Sequence, residues 1–247
     1  MIAWLGMYDP APLQDANTRF WALIRAALGH GPARLSRSSD PWQVWQSPAL
    51  VLAQTCGMPY RTRLHGRVTL VATPDYGLSD CPPGHYRSVL LARADDRRDL
   101  AALAQGTLAY NEALSQSGWA APVTHLAGLG LAPRHLLRTG AHAQSARAVA
   151  EGRADFAGID AVTWEILRDH DPRAARLRVV ARTAPTPGLP LITARGRDPA
   201  PITAAVTQAI AALNPDDRKA LHLRRLVAIP AAAYLEVPTP PPPPGAE

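Results

Sequence analysis

The sequence predicts an α/β protein built as two lobes joined by two crossing segments. Three observations carry this expectation. Short apolar, β-branched runs alternate with amphipathic helical runs along the chain, the pattern of mixed sheet-and-helix layers. The 247 residues, 47% of them hydrophobic, suffice for two modest cores. Two passages rich in Pro and Gly, at 74–84 and 184–190, bracket the stretch between about 85 and 183. A chain that leaves one lobe, builds a second and returns gives the division expected here: 1–84 with 184–237 as lobe 1, 85–183 as lobe 2, and 238–247 as a disordered proline-rich tail. A ligand cleft between the lobes and hinge closure over it are expected of such an architecture.

The elements follow in order. Met1-Ile-Ala-Trp-Leu-Gly-Met7 reads as a first buried strand; it lacks the basic start and long apolar core of a signal peptide, and Asp9 follows closely. Residues 15–28 form an amphipathic helix with Phe20, Leu23, Ile24, Ala27 and Leu28 on one face, stopped by Gly29-His-Gly-Pro32. Trp42 and Trp45, three apart in a short helical turn, are expected to pack on a sheet. Residues 49–54 form a buried strand whose polar end, Gln54-Thr55, takes the usual ligand-facing position of an open α/β sheet. Strands at 67–73 and 85–93 flank the first Pro/Gly passage, and a helix at 100–106 leads into a strand at 106–110.

Ser115-Gln-Ser-Gly118 then lies where the next helix begins. A helix start has unpaired N–H groups and a positive dipole end, and small residues there let an anion approach closely. A serine at that place also serves as an ordinary cap. A strand at 134–139, a helix at 144–152, a strand at 154–160, a helix at 162–168 and strands at 177–183 and 191–194 continue the alternation. Helices at 202–213 and 216–227 close it, the second after the capping run Asn214-Pro-Asp216. The tail from Pro238 is polyproline in composition.

The net charge is +6 and almost all the positive charge is Arg, Lys219 being the only lysine. The arginines are scattered, and the densest group, Arg218-Lys219 with Arg224-Arg225, reads as one solvated face of the late helix, so no nucleic-acid partner is expected. No apolar run approaches the roughly 20 residues of a transmembrane helix. There is no metal-ligand spacing, no dinucleotide-binding glycine pattern and no Gly-x-Ser-x-Gly elbow around Ser115, so neither metal, cofactor nor enzymatic activity is expected. Cys56 and Cys81 lie beside turn residues; bonded, they would close a loop of about 25 residues and imply an oxidising compartment. The alternative is two separate small thiols.

Ser115-Gln-Ser-Gly118 after a short strand, Gly140-Ala-His142 followed by Ala148-Val-Ala-Glu-Gly-Arg-Ala-Asp-Phe-Ala-Gly-Ile-Asp160, and His85-Tyr-Arg-Ser-Val89 form a further pattern. In order and spacing they resemble the substrate-binding proteins of phosphate, phosphite and phosphonate ABC transporters, a branch of the type 2 periplasmic-binding-protein superfamily. The resemblance covers residues from about 50 to 195. It implies a non-enzymatic, monomeric protein that closes over a small oxyanion and presents it to an ABC permease in the periplasm. The sequence as it stands begins without a leader, so either the protein stays in the cytoplasm or a leader has been removed; a cytoplasmic ligand-sensing domain on the same fold is the alternative.

By the same resemblance, Ser115, Gln116, Ser117 and Gly118 clasp the phosphoryl oxygens, and Tyr86, His142 and Asp160 contact the ligand. Gln54 and Thr55 do so from the first lobe. Each has a plainer alternative: helix capping for Asp160, a cap or loop position for His142, core packing for Tyr86. Asp160 suits an oxyanion only if it accepts from a P–OH or pairs with a ligand ammonium, as an aminoalkylphosphonate offers. The chain has Ser-Gln-Ser where the family shows Ser-Thr-Ser, an amide in place of a hydroxyl.

Overall fold

The computed structural model describes residues 1–37 and 40–245. Strand β1 (Ile2–Trp4) precedes α1 (Gln14–Leu28) and α2 (Pro41–Trp45), then β2 (Leu50–Gln54), α3 (Gly57–Pro59) and β3 (Val68–Asp75). After β4 (His85–Tyr86) and β5 (Ser88–Arg93) come α4 (Leu100–Ala104), β6 (Thr107–Tyr110), a π-helical turn at Gln116–Ala120 continued by α5 (Ala121–Gly128), and β7 (His135–Arg138). Next are α6 (His142–Ala150), β8 (Phe156–Asp160), α7 (Ala161–His170), β9 (Leu177–Arg182), β10 (Thr186–Pro187) and β11 (Leu191–Ala194). The chain ends with α8 (Ala200–Ala212), α9 (Pro215–Ala220), β12 (Arg225–Val227) and α10 (Ala231–Leu235). Two compact units result: Met1–His85 with Pro187–Glu236, and Tyr86–Thr186 with the residues from Val237 onward. The chain passes between them at β4 and β10, two short strands that pair with each other.

Unit 1 is a sheet in the order β1-β2-β11-β3-β12, with β11 antiparallel to both β2 and β3. The fully buried β2 lies next to its centre, as a continuous apolar run must. Trp4 and Trp42 each meet the Trp45 ring edge-on, with centroids 5.9 and 5.1 Å away, so the tryptophan pair packs on the sheet as expected. Tyr234 of α10 closes the same core, its hydroxyl 2.5 Å from Thr73 Oγ1, and burial pushes that phenol's pKa up.

Two expectations need correcting in this unit. Phe20 and Ile24 of α1 are buried as expected and Leu23 and Leu28 are half-buried, but Ala27 is exposed and the buried face extends over Ala16, Asn17 and Trp21. The Trp21 indole N–H donates to the Pro32 carbonyl at 2.9 Å, which satisfies its one polar group at that face. The last helix does not run to 227. It stops at Ala220; His222 adopts a left-handed backbone (φ 53°), and Arg225–Val227 pairs antiparallel with β3. A β-branched partner strand with an open edge outweighs helix propensity here.

Unit 2 is a sheet in the order β7-β6-β8-β5-β9. Strands β6, β7 and β8 are parallel, while β5 runs antiparallel to β8 and to β9. The core is Ala92, Leu103, Leu108, Tyr110, Trp119, Leu126 and Phe156. The registers Ser88↔Asp160 and Val89↔Arg182 put the ends of β6, β7, β8 and β9 and the start of β5 along one edge of the sheet. The tail, expected to stand outside the fold, runs along this unit: the Trp119 indole N–H donates to the Pro241 carbonyl at 3.0 Å, and Pro243 is buried.

Candidate functional site

Along that edge, unit 2 collects most of the residues that the sequence singles out. Strand β6 ends at Tyr110, and the loop after it climbs to Ser115 at the head of the π-helical turn. Ser115 Oγ accepts from the Gly118 N–H at 2.9 Å, so this hydroxyl acts as the helix cap. Gln116, Ser117 and Gly118 are buried in the first turn. Ser117 Oγ lies 2.9 Å from His142 Nε2, and the Ser117 carbonyl accepts from Ser88 Oγ at 2.8 Å. Thus the turn is fixed from two neighbouring elements, the start of α6 and the start of β5.

His142 opens α6. The residue is half-buried, but its Nδ1 is sealed from solvent and makes no hydrogen bond. Burial pushes its pKa down to about 4, and the nearby Gly158 carbonyl offsets this only in part. The ring is therefore neutral at neutral pH. Asp160 ends β8 and is 2% exposed; its Oδ1 accepts from the Val162 and Thr163 N–H groups at 2.7 and 3.0 Å, capping α7. Tyr86 is buried at the crossing strand.

Two residues that sequence reasoning passed over complete the edge. Asn111 follows directly on β6. A Cβ on Gly118 would fall 1.8 Å from its Oδ1, so glycine at 118 is what lets the amide lie on the turn, and that buried oxygen has no hydrogen-bond partner. Ser88 is the buried hydroxyl beneath the turn. Asn111 carried a readable signal, a polar residue at the C-terminal end of a parallel strand. Ser88 carried none, since it opens β5 and its hydroxyl meets the turn only through tertiary packing.

Gln54 and Thr55 lie in unit 1, at the C-terminal end of β2. Gln54 Nε2 donates to the Tyr76 hydroxyl at 2.9 Å and to the Leu189 carbonyl at 3.2 Å. The Thr55 N–H donates to the Pro190 carbonyl at 3.0 Å, and its side chain is buried. Cys56 is buried at the head of α3, while the Cys81 N–H closes a turn on the Leu78 carbonyl. Among the described residues no group of three or more His, Cys, Asp or Glu is arranged to hold a metal ion.

The sequence matches the family described as "ABC transporter, phosphonate, periplasmic substrate-binding protein" over residues 52–233. The chain belongs to that family. Its place there is that of a transporter's solute-binding protein, not an enzyme, with a small-molecule ligand and a permease as partners. The family is periplasmic, and among the described residues no helix is long and apolar enough to cross a membrane.

Solved structures of similar fold agree. A binding protein component of an ABC phosphonate transporter from Pseudomonas aeruginosa is 19% identical with a TM-score of 0.71, covering 92% of this chain and 81% of that one. XAC2383 from Xanthomonas citri bound to chloride ion is 17% identical with a TM-score of 0.69, covering 96% and 98%. PhnD1 from Prochlorococcus marinus, in complex with methylphosphonate, is 15% identical with a TM-score of 0.65, covering 90% of both chains. These are two-lobed type 2 periplasmic-binding folds, the class expected. No curated protein sequence matches this binding protein.

Proposed function

We propose that this binding protein takes up a small phosphonate-like oxyanion at the Ser115–Gly118 turn, closes over it, and delivers it to an ABC permease. The observation that carries this reading is the turn itself. A buried helix start with a close-approach glycine is fixed by Ser88 and His142 at the ligand-facing edge of the sheet. Neutral donors on a helix start bind an anion without bringing a counter-charge that must itself be desolvated. In this proposal Ser115, which also caps the turn, joins Gln116, Ser117, Tyr86, His142 and Asp160 in addressing the ligand. Gln54 and Thr55 of unit 1 belong to the same proposal.

The orphaned Asn111 Oδ1 refines the ligand. A buried acceptor without a partner is costly, and a ligand N–H or O–H would relieve it. A phosphonate that also carries a protonated amine or a P–OH has that donor.

A thermal-shift screen of the chain with methylphosphonate, aminoethylphosphonate, phosphate, phosphite and sulfate tests the reading. A ligand at about 100 times its Kd adds about 2.7 kcal/mol to stability. Ser117→Ala should weaken the best of these ligands by ~1–3 kcal/mol, the value of a hydrogen bond to a charged group. No shift with any oxyanion, or undiminished affinity in Ser117→Ala, removes the turn from the account.

The alternative is a ligand-sensing domain on the same fold. Ligand-dependent stimulation of a permease's ATPase by the purified chain separates transport from sensing.

A further inference from the structure

The basic residues near the end of the chain do not share one solvated helix face. The fold splits them. Helix α9 ends, His222 turns left-handed, and the chain enters β12 with Arg224 and Arg225 side by side. Arg225 Nε donates to Asp75 Oδ2 at 3.1 Å. Arg224 is held the other way. Its N–H donates to the Asp75 carbonyl at 2.9 Å and its side chain lies over Gly77, where a Cβ would fall 1.8 Å from Arg224 Nε. The turn beneath it is fixed by Asp75 Oδ1, which accepts from the Gly77 N–H at 3.0 Å. Arg218 is pinned as well, its Nη2 donating to the Ile210 and Ala211 carbonyls at 2.7 and 3.2 Å.

Arg218, Lys219, His222, Arg224 and Tyr76 line a cavity of about 690 Å³ in unit 1. Among the described residues, no ion pair joins Arg218, Lys219 or Arg224 to an acid, and the cavity gathers these three unpaired charges in one place. The neighbouring acids are engaged elsewhere: Asp75 with Arg225, Asp217 with Arg19 and Asn214. Asp216 remains, exposed in the first turn of α9.

We propose that this cavity is a second anion site, for an oligophosphate or phosphate ester carrying two or more negative charges. Like charges held together without counter-charges repel, and a multivalent anion relieves that most. Guanidinium forks match phosphate oxygens in pairs, and a lysine adds a mobile point charge. The volume falls in the range of small-ligand sites. The site lies wholly in unit 1 and does not depend on the oxyanion reading of the Ser115–Gly118 turn in unit 2.

The test is calorimetric titration of the full chain with inorganic tripolyphosphate, with orthophosphate as comparison. Tripolyphosphate should bind at one site. Arg224→Ala and Lys219→Ala should each weaken it about tenfold, the scale of one charge-assisted hydrogen bond, and Arg224→Lys should retain part of the affinity. Ser117→Ala should leave it unchanged, and so should Arg195→Ala at an exposed arginine outside the cavity. Because Lys219 is the only lysine, amine acylation followed by mass analysis gives a direct footprint: tripolyphosphate should protect Lys219 and spare the α-amino group. Binding that Arg195→Ala weakens as much as Arg224→Ala would mean diffuse attraction to a basic protein and would overturn the site. Loss in Ser117→Ala would move the ligand to unit 2, and absence of Lys219 protection would equally reject the proposal.

Discussion

His142 holds its place as an uncharged ring, and that makes the Ser115–Gly118 turn sensitive to acid. Burial lowers its pKa from 6.5 to about 4. As pH falls below 6.5, the unfolded chain takes up the proton first, so acid favours unfolding until the folded ring protonates as well. The stabilising contribution is full above about 6.5 and lost on the way down to about 4. His142→Asn keeps a polar group beside Ser117 and removes the titration. The melting temperature of the unmodified chain should therefore fall more steeply than that of the variant between pH 6.5 and 4. Parallel curves would mean that the ring is solvated and that its hydrogen bond to Ser117 does not organise the turn.

The clasp turn depends on the strand beneath it. A Cβ on Gly158 of β8 would lie 2.3 Å from Pro122 Cγ and 3.2 Å from the Gly118 carbonyl, so a glycine in mid-strand lets the helix start settle onto the sheet. Gly158→Ala should push that helix outward, destabilise the chain by about 1–3 kcal/mol in denaturant titration, and weaken methylphosphonate binding if the turn is the site. A variant as stable as the parent would show that the helix has room to spare. This contact was not legible in the sequence, where Gly158 appears as one letter of a strand. What was legible is whatever follows from local period. The strands at 50–54, 107–110, 156–160 and 191–194 and the helices around 142–150 and 161–170 fall where alternation and amphipathicity put them. The late helix was misread because its continuation, Leu221-His-Leu-Arg-Arg-Leu-Val227, is helical in composition while β3 offers it an edge to pair with. The site was half legible: the elements bearing Ser117, His142 and Asp160 were placed and the Asp160 cap on its own helix was a stated alternative, but the cross-element bonds of Ser117 to His142 and to Ser88 are set by tertiary packing.

The tail shows what composition alone misjudges across the whole chain. A proline run has no internal hydrogen bonds, and reading it as disordered assumes that water satisfies its carbonyls. Those same carbonyls are acceptors on a stiff segment that loses little entropy on docking, and proline rings suit an aromatic surface. Trp119 supplies that surface: it is 4% exposed, packs on Tyr110 at 5.2 Å, and donates its indole N–H to Pro241. Removal of residues 237–247 should open the Trp119 edge and lower stability by about 1–2 kcal/mol, a hydrogen bond plus the burial of Pro243. Trp119→Phe removes the same donor with most of the ring kept. If the two act through one contact, the truncated Trp119→Phe chain loses less than the sum of the two separate losses in chemical denaturation. Full additivity would instead mean that the tail stabilises unit 2 through some surface other than Trp119.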